Sequence, residues 1–188
     1  SRYFGKNLKI KERYFSKNLL AFTGRSPISS GDYKDSCPFF SFEQDGWLWL
    51  APDREDSLTW TRLFVDFTGI QDDVDSKQYV NGKGFNTTWR LFRPVVDSNI
   101  VLTGDAAGII DPSAGQGIFN ALVSGANAGN CVSNCILDPI NSTYHQVSYD
   151  KWFLDQFKNK VTLLSQHYKS NGLDISRGQS KTPPCKTF

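Results

Sequence analysis

Ile100-Val101-Leu102-Thr103-Gly104-Asp105-Ala106-Ala107-Gly108, followed by Asp111-Pro112-Ser113-Ala114-Gly115-Gln116-Gly117, decides how the rest of the chain is read. A short apolar strand, Asn99 to Thr103, delivers an Asp at its end between glycine and alanine, where small neighbours let a ligand approach the backbone closely. A carboxylate so placed suits the hydroxyl groups of a sugar or sugar alcohol. After Pro112, residues Gly115 to Gly117 open a run from Ile118 to Leu137 that is small and apolar, with no breaker before Asp138-Pro139. The pattern predicts strand, glycine-rich loop and long buried helix. The first backbone N–H groups of such a helix, and the positive end of its dipole, face the loop and favour an anionic or electron-rich group. Gly117, Asn120, Ala121, Ser124, Gly125, Ala128 and Gly129 recur at three- and four-residue intervals, a spacing that serves close packing rather than chemistry.

Upstream of this stretch the chain has strand character. Leu19 to Thr23 reads as a short strand and Gly24 to Ser36 as a loop. Pro38 to Glu43, Trp47 to Ala51 and Leu58 to Phe67 are rich in aromatic or β-branched residues and bounded by turn signals, which predicts an antiparallel sheet. Asp72 to Lys83 reads as a connection or short helix, and Thr87 to Phe92 as a further strand ending at Arg93-Pro94. Downstream, Tyr144 to about Tyr168 places Trp152, Phe153, Phe157, Val161 and Leu164 at helical spacing. From Ser170 onward the tail reads as disordered.

Composition bounds the function. The 188 residues carry 21 Lys and Arg against 19 Asp and Glu, scattered along the chain, which gives nucleic-acid binding little support. The four cysteines, Cys37, Cys131, Cys135 and Cys185, form no CxxC pair and the two histidines, His145 and His167, complete no zinc spacing, so no metal site is expected. Cys131 and Cys135, one helical turn apart, read as packing residues and free thiols of a reducing compartment. No apolar run approaches the ~20 residues of a spanning helix. The expected setting is cytoplasmic. The chain has no methionine and starts with Ser1, so it reads as a fragment.

Gly104-Asp105-Ala106-Ala107, with Pro112 and Gly115-x-Gly117, resembles the second flavin-binding signature of the FAD-dependent monooxygenases, flavin-dependent halogenases and geranylgeranyl-reductase-like proteins. Gly46-Trp47-Leu48-Trp49-Leu50-Ala51-Pro52 is similar to the Gly-Trp-x-Trp-x-Ile-Pro pattern of tryptophan-halogenase-like proteins, with Ala51 in place of isoleucine. The resemblance implies FAD as cofactor, with Asp105 on its ribityl chain and the backbone of Ala114, Gly115, Gln116, Gly117 and Ile118 facing the isoalloxazine ring; Gly104, Ala106 and Pro112 complete the cofactor-binding set. It implies no catalytic residue. Arg90 or Arg93 is a candidate contact to cofactor or an anionic substrate, with ion pairing the commoner role for such an arginine. Trp47 and Trp49 are expected to form a wall beside the flavin.

The superfamily's first FAD element, a βαβ unit with a GxGxxG turn, has no counterpart in this sequence. The expectation is therefore the carboxyl-terminal part of an FAD-dependent oxidoreductase acting on an aromatic or amino-acid-type substrate, not active as this chain alone. Its partners would be FAD, a small-molecule or side-chain substrate and an amino-terminal half. The expected fold is α/β, or α+β in isolation: a substrate-side antiparallel sheet over 1–93, the second FAD-contacting strand, loop and helix over 94–139, a carboxyl-terminal helix over 140–169 and a disordered tail over 170–188. Two alternatives remain at this stage. One is a degenerate or split piece acting as a non-enzymatic interaction module. The other is a ligand-binding sheet with Trp47, Trp49 and Trp60 turned to solvent.

Overall fold

The structure, a computed structural model, describes residues 10–27, 37–53, 57–66, 82–97 and 99–177. Of the helix or connection expected over Asp72 to Lys83, residues 72–81 lie outside the described residues, as do the loop residues 28–36 and the tail residues 178–188. The chain is α+β and divides into two compact units, residues 1–16 with 88–167 and residues 17–87 with 168–188.

The second of these is built on five antiparallel strands, β2 (Leu19–Pro27), β3 (Phe39–Glu43), β4 (Gly46–Pro52), β5 (Ser57–Val65) and β6 (Lys83–Asn86), in the order β3-β4-β5-β2-β6. Leu19, Leu20, Ala21, Trp47, Trp60 and Leu63 are buried apolar residues of its strands. The Trp47 indole is enclosed and donates from Nε1 to the Tyr168 hydroxyl at 2.7 Å. Tyr168 also packs edge-on against Phe42. Strand β2 runs through Pro27, beyond the expected stop at Thr23, because Gly24 sits opposite Trp60 in the ladder and leaves room for its ring. A Cβ on Gly24 would lie 2.5 Å from that ring. Turn-like composition yields here to cross-strand packing. Gly46 is required by a closer approach still, since a Cβ there would meet the Leu63 carbonyl oxygen at 1.8 Å.

Arg62, 6% exposed, is the buried charge of this sheet. Its guanidinium bonds Asp45, lies 3.7 Å from Glu43 and stacks over Phe64, so the turn joining β3 to β4 is tied to β5. Burial of Trp47 and Trp60 overturns the reading of a sheet that offers these tryptophans to solvent. The chain after Ser170 also departs from expectation: Leu173 and Ile175 are buried, and Lys17 N donates to the Ile175 carbonyl at 2.9 Å.

The other unit contains β1 (Lys11–Tyr14), β7 (Arg90–Arg93) and β10 (Gly108–Ile109) as a three-stranded antiparallel sheet with β7 in the middle, and β8 (Val96–Asp97) with β9 (Ile100–Val101) as a hairpin. Three helices complete it: α1 (Gly104–Ala107), α2 (Gly117–Leu137) and α3 (Ser142–Ser170), the last turn of α3 belonging to the sheet unit. Tyr149, Phe153 and Phe157, at four-residue spacing on α3, meet Leu91, Phe92, Val95, Leu102, Ala107, Ala128 and Cys131 in one core. Asp150 fixes the same helix to β7, pairing with Arg93 at 2.5 Å and accepting from Val95 N at 3.1 Å.

Helix α2 is less buried than its composition suggests. Ser124, Ala128 and Cys131 form the buried seam, while Ile118, Leu122, Val132 and Ile136 are exposed, and a Cβ added at Gly117, Gly125 or Gly129 would touch nothing within 4 Å. None of the described helices is long and apolar enough to cross a membrane.

Replacing Trp47 by Phe removes the donor to a buried hydroxyl, and the sheet unit should lose about 1–3 kcal/mol. Tyr168→Phe on the same background should add less than its effect alone, measured by denaturant unfolding of the single and double variants.

Candidate functional site

The loop between β9 and α2 is held open by its own backbone and by two buried side chains. Strand β9 ends at Val101, and at Gly104 the chain turns with φ +51°, a left-handed conformation that favours glycine. Asp105 therefore lies in the first turn of α1 rather than at the strand's end. The turn is pinned to α2 by Ser124, whose Oγ accepts from Gly104 N at 2.9 Å and donates to the Asn120 carbonyl at 2.7 Å. Ala121 leaves a gap that suits glycine at 104, as a Cβ there would lie 3.2 Å from the alanine methyl. Gly108 is needed for space rather than for its backbone angle, because a Cβ would press to 2.7 Å from the Phe157 ring.

Asp111 carries the second half of the loop. It is 2% exposed, and its Oδ2 accepts from Trp89 Nε1 at 2.5 Å while Oδ1 accepts from Ser113 N at 3.0 Å. The carboxylate caps the 3-10 turn Pro112–Ala114, after which Gly115, at φ +63°, ψ 11°, closes the turn with its N–H on the Pro112 carbonyl. Gln116 then starts α2: its carbonyl takes the Asn120 N–H at 2.8 Å, and no side chain caps the helix. No acidic residue stands in the first turn.

The structure thus brings Gly104, Asp105, Ala106, Pro112, Ala114, Gly115, Gln116, Gly117 and Ile118 into one loop and helix start. Asp105, Ala106, Gly115, Gln116, Gly117 and Ile118 are exposed, and the Asp105 carboxylate has no hydrogen bond or ion pair among the described residues. Arg93 is committed to Asp150, and Arg90 stacks against Phe92 with its guanidinium carbon 5.9 Å from the ring centre. Asp111 and Ser124 are positioning residues that sequence reading passed over. The Asx-Pro-Ser signal for a capped turn is present at Asp111-Pro112-Ser113, but its partner Trp89 is known only from the fold.

Around α2 the remaining polar groups are structural. Tyr149 donates to the Leu102 carbonyl at 2.8 Å, and burial pushes its hydroxyl up to about 12. Cys131 and Cys135 are free thiols whose sulfurs donate to the carbonyls of His145 and Ser142. Burial, with a smaller contribution from Cys135, raises Cys131 to about 11. His145 lies 3.7 Å from Asp138, and His167 is exposed. Among the described residues no group of three or more His, Cys, Asp or Glu is placed to hold a metal ion.

No protein-family model matches the chain. Among solved structures, a flavin-dependent halogenase from Brevundimonas sp. BAL3 superimposes with a TM-score of 0.71 at 13% identity, covering 95% of this chain and 37% of that one. A second flavin-dependent halogenase gives 0.68 at 13% identity, with 94% and 36% covered. Over the matched part the chain shares the fold of these flavin-dependent halogenases. A peptidyl tryptophan dihydroxylase shares that fold, at a TM-score of 0.66 and 16% identity, covering 92% of this chain and 43% of that one. By sequence the chain is similar to digeranylgeranylglycerophospholipid reductases: 25% identical over 158 residues to one from Methanosphaera stadtmanae, covering 73% of this chain and 39% of the relative. To one from Thermoplasma volcanium it is 37% identical over 99 residues, covering 53% of this chain and 24% of the relative. The chain spans well under half the length of these proteins.

Two outcomes check the site's construction. Asp111→Ala strands the Trp89 N–H and uncaps the turn, and should cost about 1–3 kcal/mol in a thermal or denaturant melt, with Asp111→Asn costing less. At pH 8 a thiol at about 11 is ionised in roughly one molecule in a thousand, so Cys131 should react with a disulfide reagent far more slowly than exposed Cys37.

Proposed function

We propose that this chain supplies the ribityl- and ring-contacting part of an FAD-dependent oxidoreductase. The observation that carries the reading is the loop Gly104–Gly117, which presents an exposed, unpartnered carboxylate beside an uncapped helix start with open space over Gly115 and Gly117. These groups fit the cofactor. The Asp105 carboxylate would accept hydrogen bonds from ribityl hydroxyls. The N–H groups of Gly115, Gln116, Gly117 and Ile118 would serve the pyrimidine edge, where the dipole of α2 favours negative charge. Ala106 and the glycines keep Cβ atoms out of that approach, and Asp111, Trp89 and Ser124 hold its shape. When bound, FAD supplies the redox chemistry, and this chain supplies orientation and electrostatics.

The element that grips the pyrophosphate would come from sequence outside these 188 residues or from another chain. The exposed apolar face of α2, with Ile118, Leu122, Val132 and Ile136, is where it would pack. We infer an aromatic or amino-acid-type substrate, on the strength of the Gly46–Pro52 resemblance and of a fold shared with a peptidyl tryptophan dihydroxylase. A second reading, an apolar polyprenyl lipid, is favoured by the sequence likeness to digeranylgeranylglycerophospholipid reductases.

Flavin fluorescence quenching, measured on this chain and on the full product of its gene, tests the proposal. The full product should bind FAD, and Asp105→Ala should weaken binding by about tenfold or more, equivalent to about 1.4 kcal/mol. No binding by the full product, or binding indifferent to Asp105, would leave a non-enzymatic interaction module as the better account.

A further inference from the structure

Asn120 stands one turn into α2, and its Oδ1 accepts a hydrogen bond from Lys160 Nζ of α3. The Asn120 carbonyl accepts from Ser124 Oγ, which accepts from Gly104 N, so the ammonium is linked through three groups to the turn that bears Asp105. Phe157, one turn before Lys160 on α3, lies against Gly108 of the same loop. The lysine is half-buried, and its removal from water lowers its pKa.

This is an unusual place for a cation. The amino end of a helix carries partial positive charge, so an ammonium is opposed there and an anion is favoured. A surface lysine would swing its head into water, whereas Lys160 spends a hydrogen bond on an amide in the first turns of α2. No carboxylate among the described residues lies within ion-pair distance of Nζ; Asp111 is occupied by Trp89 and Ser113, and Asp150 by Arg93. The helix start contributes no acidic residue of its own. Two sources of positive potential therefore meet at one end of α2, and neither Asp105 nor Asp111 of the neighbouring loop forms an ion pair with Lys160.

We propose that Lys160 is a positioning residue for redox chemistry: held by Asn120, it adds a full positive charge to the amino end of α2 and stabilises the reduced, negatively charged flavin. The inference rests on the flavin reading given above. Asn120 follows Gly117 by three residues, about 4.5 Å along the helix axis. Unit charges roughly 10 Å apart at an effective dielectric constant of ~20 shift an equilibrium by about tenfold.

The test is the midpoint potential of FAD bound to the full gene product, by dye-coupled reduction. Lys160→Gln should lower the potential by about 30 mV, which is about tenfold for a two-electron couple, while affinity for oxidised FAD changes little. Lys160→Arg should hold the potential near that of the unmodified protein. Asn120→Asp keeps the contact but neutralises the charge, and should lower the potential as Lys160→Gln does; it serves where the glutamine variant fails to fold. Bound FAD with an unchanged potential in Lys160→Gln and Asn120→Asp would overturn the role of Lys160 and leave the flavin reading standing. Absence of FAD binding by the unmodified protein would overturn both.

Discussion

A buried carboxylate holds the loop on which the site is built. Asp111 accepts the Trp89 indole N–H and the Ser113 backbone N–H, and so joins the segment leading into the central strand of one unit to the turn that launches its long helix. A carboxylate taken out of water is costly unless its oxygens are engaged, and here both are. With that turn fixed, Pro112 can begin a 3-10 turn, Gly115 can close it in the left-handed region, and α2 can start without a side-chain cap. Ser124 does the complementary task from the helix side, holding Gly104 against the first turns of α2. Residues between these two anchors stay exposed because the buried ones carry the structure.

The same division of labour governs the sheet unit. Its interior is organised by pairs that exclude alternatives: Trp60 over Gly24, the Leu63 carbonyl against Gly46, and Trp47 bonded to Tyr168. Arg62 shows how a charge is accommodated in such a sheet. Asp45 of the neighbouring turn, Glu43 at the end of β3 and one aromatic face stand against it, so that a buried guanidinium fixes a hairpin instead of disrupting it.

What could be read from sequence was what depends on local pattern. The strands around Trp47 and Leu58, the helix after Gly117 and the aromatic face of α3 follow from period and punctuation. The motif from Gly104 to Gly117 follows from residue types whose backbone freedom and small size have few other uses. Less legible was whatever depends on a partner distant in sequence. Strand β2 continues past Gly24 because of Trp60, the short strands β1 and β10 exist because β7 lies between them, and Leu173 and Ile175 are buried in a stretch whose composition reads as tail. Asp111 was visible as part of the motif, but its role depends on Trp89, more than twenty positions upstream. Composition also overstated the burial of α2, because small apolar residues signal that a helix can be covered without saying that it is.

That last feature has an energetic side. Gly125 and Gly129 lie in the interior of α2, and each costs a helix about 1 kcal/mol relative to alanine. No described atom stands close enough to object to a methyl group at either position. By its own contacts, then, this helix would be firmer with alanine at both. The two glycines are a standing local instability that the described contacts do not require.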